Sequence, residues 1–136
     1  MNFVYSDGGR AAGGFKGRSS DCVVRAIAIA LDLDYRDVYA DLKKMTVEST
    51  SGLERGISGG VYPPTYHEYL KGLNIYPVRV SSGYLKDIPK TGTYIAVTSG
   101  HLVTIVNGVA HDTFDSTKSK RTKCGSPKIE GYFLIK

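Results

Sequence analysis

The stretch His101-Leu102-Val103-Thr104-Ile105-Val106-Asn107-Gly108-Val109-Ala110-His111-Asp112 decides the second half of the fold. Asn-Gly between two apolar, β-branched runs is the strongest short-range signal for a hairpin with a two-residue type I′ turn, because both central residues must take positive φ. That turn fixes the register. Val106 is expected opposite Val109, Val103 opposite Asp112 and His101 opposite Phe114. Side chains alternate along a strand, so His101, Val103, Ile105, Ala110, Asp112 and Phe114 should share one face, with Thr104 and His111 on the other and Asp115 facing away from His101. His101 and Asp112 become diagonal neighbours, about 7–8 Å apart at Cα, a gap that an imidazole and a carboxylate can close.

Working outward, the chain after Gly72 is rich in β-branched and aromatic residues, and 75–80, 93–98, 102–106, 109–114 and 132–135 read as strands. The chain before Gly72 is helical. Residues 23–31 are apolar at every position but Arg25, which predicts a helix buried on nearly all sides. Asp34 caps a second helix from Tyr35, with Val38, Tyr39 and Leu42 as its apolar stripe and Asp37 and Asp41 turned away. Pro63-Pro64-Thr65 opens a short third helix, 66–71, that Gly72 ends as a C-cap. Helices first and strands afterwards predict an α+β fold, in which a buried N-terminal helix with Cys22 at its start packs on a mostly antiparallel sheet of about five strands. Two Gly-rich stretches, 8–17 and 49–60, are loops expected to flank a cleft.

With 136 residues, no internal repeat and no boundary in composition, residues 1–136 read as a single domain. A chain 41% apolar and 23% charged excludes a disordered or fibrous protein. No stretch approaches the roughly 20 apolar residues of a membrane span, and the N-terminus has no export pattern, so a cytoplasmic protein without a membrane partner is expected. Cytosolic thiols stay reduced, and Cys22 and Cys124 are therefore read as separate free cysteines. The net charge of +5 is partly local to Lys118, Lys120, Arg121, Lys123 and Lys128. That run lacks interleaved aromatics and reads as a solvated loop rather than a nucleic-acid-binding arm.

The chemistry is concentrated in three residues. A cysteine at a helix start meets unpaired N–H groups and the positive end of the dipole, which favour its thiolate. Cys22 holds that position, His101 supplies a base and Asp112 can orient the base, so nucleophile, base and orienter are all present. Each has a plain structural explanation when taken singly, as a small core residue, a strand-end histidine and a turn acid. His67 reads as a helix-surface or half-buried residue and Cys124 as an incidental exposed thiol. Arg25, one turn after Cys22 on the same side, can hold an acidic substrate group or favour the thiolate through its charge. An ion pair with Asp21, Asp37 or Asp41 is the expectation preferred for it, because a guanidinium in an apolar helix needs a carboxylate.

The elements SSDCVVRAIAIAL, residues 19–31, and SGHLVTIVNGVAHDTFDS, residues 99–116, resemble those of papain-like cysteine peptidases, especially compact ones such as bacteriocin-leader peptidases. The run Asp21-Cys22-Val23-Val24-Arg25-Ala26 further resembles small proteins of bacteriophages and mobile elements. The resemblance covers about residues 13–116 and rests on short motifs. It implies a papain-like fold and a Cys22-His101-Asp112 triad acting on a peptide, isopeptide or side-chain amide. It also implies a protein or peptide substrate, a host protein if the chain is phage-encoded. Acyl transfer of this kind needs no metal or organic cofactor, and the sequence has neither a Cys/His cluster of zinc spacing nor a phosphate-binding glycine fingerprint. Such enzymes usually carry a glutamine about six residues before the cysteine to complete the oxyanion hole, and here that position is Lys16. Lys16, Ser19 and Ser20 are the candidates for a donor beside the Cys22 N–H. The departure at Lys16 motivates the alternative of a binding or inhibitory module with a silent cleft.

Overall fold

A computed structural model describes residues 1–17, 20–49, 57 and 60–136. Ser19 and most of the 49–60 loop lie outside the described residues; of that loop's centre, Ile57 is buried in the core.

The uniformly apolar run forms α1 (Cys22–Leu31), with Val23, Val24, Ile27 and even Arg25 buried. It ends where Asp32 enters the left-handed region at φ 52° and the Leu33 N–H reaches back to the Ala28 carbonyl. The second helix, α2 (Tyr35–Ser49), starts where Asp34 Oδ1 accepts the N–H groups of Arg36 and Asp37 at 2.8 and 3.4 Å. Of the predicted stripe, Val38 and Leu42 are buried in the core with Tyr35, while Tyr39 is only partly buried against it. The third helix, α3 (Pro63–Lys71), begins on its prolines. Gly72 does not stop it through a left-handed turn, since its φ is −61°. Asn74 at φ 61° does so, with Asn74 N–H bonded to Lys71 O and Ile75 N–H to Leu70 O, the paired bonds of a Schellman end.

Among the described residues, six strands form one mixed sheet: β1 (Asn2–Tyr5), β2 (Pro77–Arg79), β3 (Thr93–Thr98), β4 (His101–Val106), β5 (Val109–Asp112) and β6 (Gly131–Leu134). Their order is β1-β5-β4-β3-β6-β2, antiparallel except for the parallel pair β1 and β5. The expectation of about five strands missed β1. A strand of four mostly exposed residues carries little alternation, and its partner lies more than a hundred residues away. The predicted strand 75–80 shortens to Pro77–Arg79, because Ile75 is used in closing α3.

The β4–β5 hairpin has Asn107 and Gly108 both at positive φ, 48° and 78°, with Val106 opposite Val109 and Thr104 opposite His111. Alternation then sorts the sheet into two cores. Leu102, Ile95 and Phe133 pack with the three helices, and Thr104 Oγ1 donates to the Ala26 carbonyl of α1 at 2.6 Å. Val103, Ile105, Ala96 and Ala110 pack on the other face with Leu85, Ile88 and Ile129. The predicted outer pairs, Val103 with Asp112 and His101 with Phe114, are not formed. The ladder ends at Thr104 and His111, and Asp112 is paired on the other edge of β5 only, with Tyr5 of β1. His101 and Asp112 therefore leave the face of Val103 and Ala110 and turn toward the first turns of α1. None of the described helices is long and apolar enough to cross a membrane.

Candidate active site

Cys22 is the first residue of α1, so its N–H is among the four that have no partner within the helix. Asp21, at the cap position, makes no side-chain cap. Its carboxylate is taken instead by Arg25 and by the Tyr35 hydroxyl, which donates at 2.8 Å. Cys22 is half-buried against the helical core and faces His101, the first residue of β4, which follows a turn with Gly100 at φ 69°.

The ring of His101 is held on one side by Asp112, Nε2 to Oδ2 at 2.7 Å, which leaves Nδ1 to the thiol. Phe114 stacks beside it with centroids 5.2 Å apart. Asp112 is only 1% exposed, and both its oxygens are fully engaged. Oδ1 accepts from Arg25 at 2.9 Å and from the Thr113 N–H at 2.8 Å. Oδ2 accepts from His101 and from the Ser116 hydroxyl, each at 2.7 Å.

The electrostatics follow from these contacts. Burial opposes ionisation of Cys22, but hydrogen bonds from His101 and the Leu102 N–H, with the charges of His101 and Arg25, outweigh it and hold the thiol below its ordinary value. Burial likewise opposes the imidazolium, yet hydrogen bonds to Asp112 and Cys22 raise His101 to about 9. Asp112 resists burial through its bonds from His101 and Ser116 and lies below the ordinary carboxylate value. Cys22 moves down and His101 up, which favours a thiolate beside an imidazolium over the neutral pair.

Two cavities meet at Cys22. One, of about 710 Å³, is walled by Tyr5, Phe15, Arg10 and Phe114; the other, of about 350 Å³, by Val61, Pro63, Tyr66, Val97 and Glu130. Ser20, Gly100, Cys22 and His101 line both. Lys16 lines neither: it is exposed, and its carbonyl accepts from Arg10 at 3.1 Å, while Phe15 and Gly17 on either side of it face the larger cavity. Arg25 pairs with Asp21, one of the three partners expected, and with Asp112, which was not among them; Asp37 and Asp41 are not its partners.

Other predicted residues lie apart from the thiol. Asp115 pairs with Lys118 on the surface, and His67 is half-buried beside Tyr66 and Phe133. Cys124 is exposed, with only long contacts to Thr122 and Ser126. Among the described residues, no three His, Cys, Asp or Glu side chains converge as a metal site would.

Sequence reasoning missed Ser116, Tyr35, Arg10 and Tyr66. The first three act through Asp112 and Asp21 and carry no local motif. Tyr66 is buried in α3 with its phenol pushed up, by burial first and by the nearby charge of Cys22 second. Comparison of the chain with models of protein families, with curated proteins and with solved structures found no match in any of the three.

Proposed function

We propose that the protein is a cysteine-dependent hydrolase or acyl transferase of papain-like architecture, acting on a peptide, isopeptide or side-chain amide. The observation that carries this reading is the His101 ring, bound to Asp112 through Nε2 at 2.7 Å and facing the helix-start thiol of Cys22 with its other edge.

The Cys22 thiolate attacks the carbonyl carbon, and a C–S bond forms as the carbonyl π electrons move to oxygen. The Cys22 N–H is available to that oxygen. The imidazolium gives its proton to the leaving amine as the C–N bond breaks. Neutral His101 then takes a proton from water or another nucleophile as it attacks the thioester, the C–S bond breaks, and the Cys22 thiolate is restored beside the imidazolium.

The position of Lys16 outside both cavities supports a second reading, a binding module that keeps the scaffold without turnover. Incubation with p-nitrophenyl acetate, followed by mass mapping, separates the two. The enzyme reading predicts an acetyl group on Cys22 that forms and then decays, and that is absent in C22S and strongly slowed in H101A. Cys22 that acquires no acetyl group, or acquires it no faster than Cys124, favours the binding module.

A further inference from the structure

Arg25 forms a bridge that hydrolysis as outlined above does not use. It is one turn along α1 from the nucleophile, 6% exposed, and its two terminal nitrogens go to different carboxylates, one to Asp21 and one to Asp112. The glycine-rich segment closes over it. Gly8 sits so near that a Cβ there would meet the Arg25 Cα, Cγ and carbonyl oxygen at 3.2–3.3 Å.

We propose that Arg25 is a positioning residue that divides the charge of Asp112 between two cations, so that Asp112 orients His101 without locking the proton onto it. This rests on the reading of Cys22 and His101 as the reacting pair.

A buried carboxylate serving the imidazole alone would stabilise the imidazolium strongly, because opposite charges in a poorly solvated site attract far more than in water. Such a histidine is a poor acid for the leaving amine, since efficient transfer needs a donor whose affinity for the proton is matched to the working pH. A guanidinium on the other oxygen weakens that hold, and Asp21 in turn draws off part of the guanidinium's charge. Tyr66 from α3 and Glu130 line the smaller cavity on the other side of Cys22, and the groups around Arg25 have partners of their own. Cys22 comes from α1, Tyr35 from α2 donates to Asp21, and Arg10 from the glycine-rich segment donates to the Tyr35 hydroxyl at 3.1 Å. Asp7 from the same segment spends its carboxylate on the Gly9 and Ala11 N–H groups. Asp115, just beyond β5, turns to Thr117 and Lys118. With Cys22 ionised and His101 protonated, Asp21, Asp112 and Cys22 are balanced by Arg25, His101 and Arg10.

The test follows His101 by NMR titration and Cys22 by its alkylation rate with iodoacetamide as a function of pH, in R25Q, R25K and D21N. R25Q is expected to move both midpoints up, by about one pH unit. R25K, which keeps the charge, should stay nearer the wild-type values. D21N leaves Arg25 undivided on Asp112 and should move the His101 midpoint down, although His101 has no contact with Asp21. A purely structural cross-link between α1 and β5 predicts no such opposed shifts, and folded variants that keep the wild-type midpoints overturn the assignment. If R25Q does not fold, D21N decides alone through the sign of its shift. A wild-type Cys22 midpoint no lower than that of Cys124 would instead remove the parent reading, an outcome visible before any variant is compared.

Discussion

Asp112 gathers more of the site than any other residue, since Arg25, His101, Ser116 and the Thr113 N–H all converge on its two oxygens. Its substitution D112N keeps the shape and removes the charge that raises His101. His101 should then titrate nearer its ordinary value, Cys22 should lose much of its thiolate at neutral pH, and acylation should fall on the order of 10²-fold. Stopped-flow acylation with p-nitrophenyl acetate measures this, and a rate unchanged within a factor of two would remove Asp112 from the mechanism. The three central residues were legible in the sequence for different reasons. Cys22 showed itself by lying between a polar turn and an apolar helix, and His101 and Asp112 by their spacing around Asn107-Gly108. The partners of Asp112 were not legible, because Arg25 and Ser116 reach it through the tertiary fold.

At the scale of elements, the site depends on where the β4–β5 ladder stops. The register near the turn follows from Asn107 and Gly108 alone, and alternation correctly separated Thr104 and His111 from Val103 and Ala110. Extrapolating that alternation to the strand ends failed because the β4–β5 ladder stops at Thr104 and His111, while Asp112 keeps only its pairing with β1 on the other edge of β5. Beyond His111 the two strands part, and the side chains of His101 and Asp112 turn to α1. The opposite edge of the sheet, β2, lines neither cavity at Cys22. Gly131 there lets β2 approach so closely that an added Cβ would lie 2.5 Å from the Val78 carbonyl oxygen. G131A should displace β2 and cost about 1–3 kcal/mol in urea unfolding, while the alkylation rate of Cys22 stays at the wild-type value. A parallel loss of Cys22 reactivity would show that the edge and the site are coupled.

For the whole molecule, the buried charges make stability depend on pH in a sign that can be worked out group by group. Asp112 is depressed, so its contribution is complete above its ordinary value near 4 and is lost as pH falls below that. His101 is raised to about 9, so its contribution is complete below about 6.5 and is lost as pH climbs to 9. Cys22 is depressed and gains over the upper part of that range, so the two offset each other in the folded protein. Urea midpoints should therefore change little between pH 6.5 and 9 in the wild type and drop below pH 4. C22S, lacking the compensating thiol and left with a His101 that Asp112 alone raises, hence less far, should lose stability as pH climbs from 6.5 through that lower value, and a flat C22S profile would contradict the coupling. The α+β layout of three helices on a six-stranded sheet was legible in its helices and central strands, whose cores impose long periodic runs. Its edges, β1 and β2, were not, because short exposed strands carry almost no pattern of their own.

The second cysteine supplies the internal reference for the central claim. Cys124 is exposed, and Cys22 is partly buried beside His101, so exposure alone would make Cys124 the faster thiol. Alkylation by limiting iodoacetamide, followed from pH 5 to 9 with each cysteine quantified by peptide mass, is the most direct test. Cys22 is expected to react ahead of Cys124 at pH 6–7, with a midpoint below that of an ordinary thiol, and H101A to abolish this advantage. A Cys22 that reacts more slowly than Cys124 across the whole range, with a midpoint at or above that of an ordinary thiol, would contradict it.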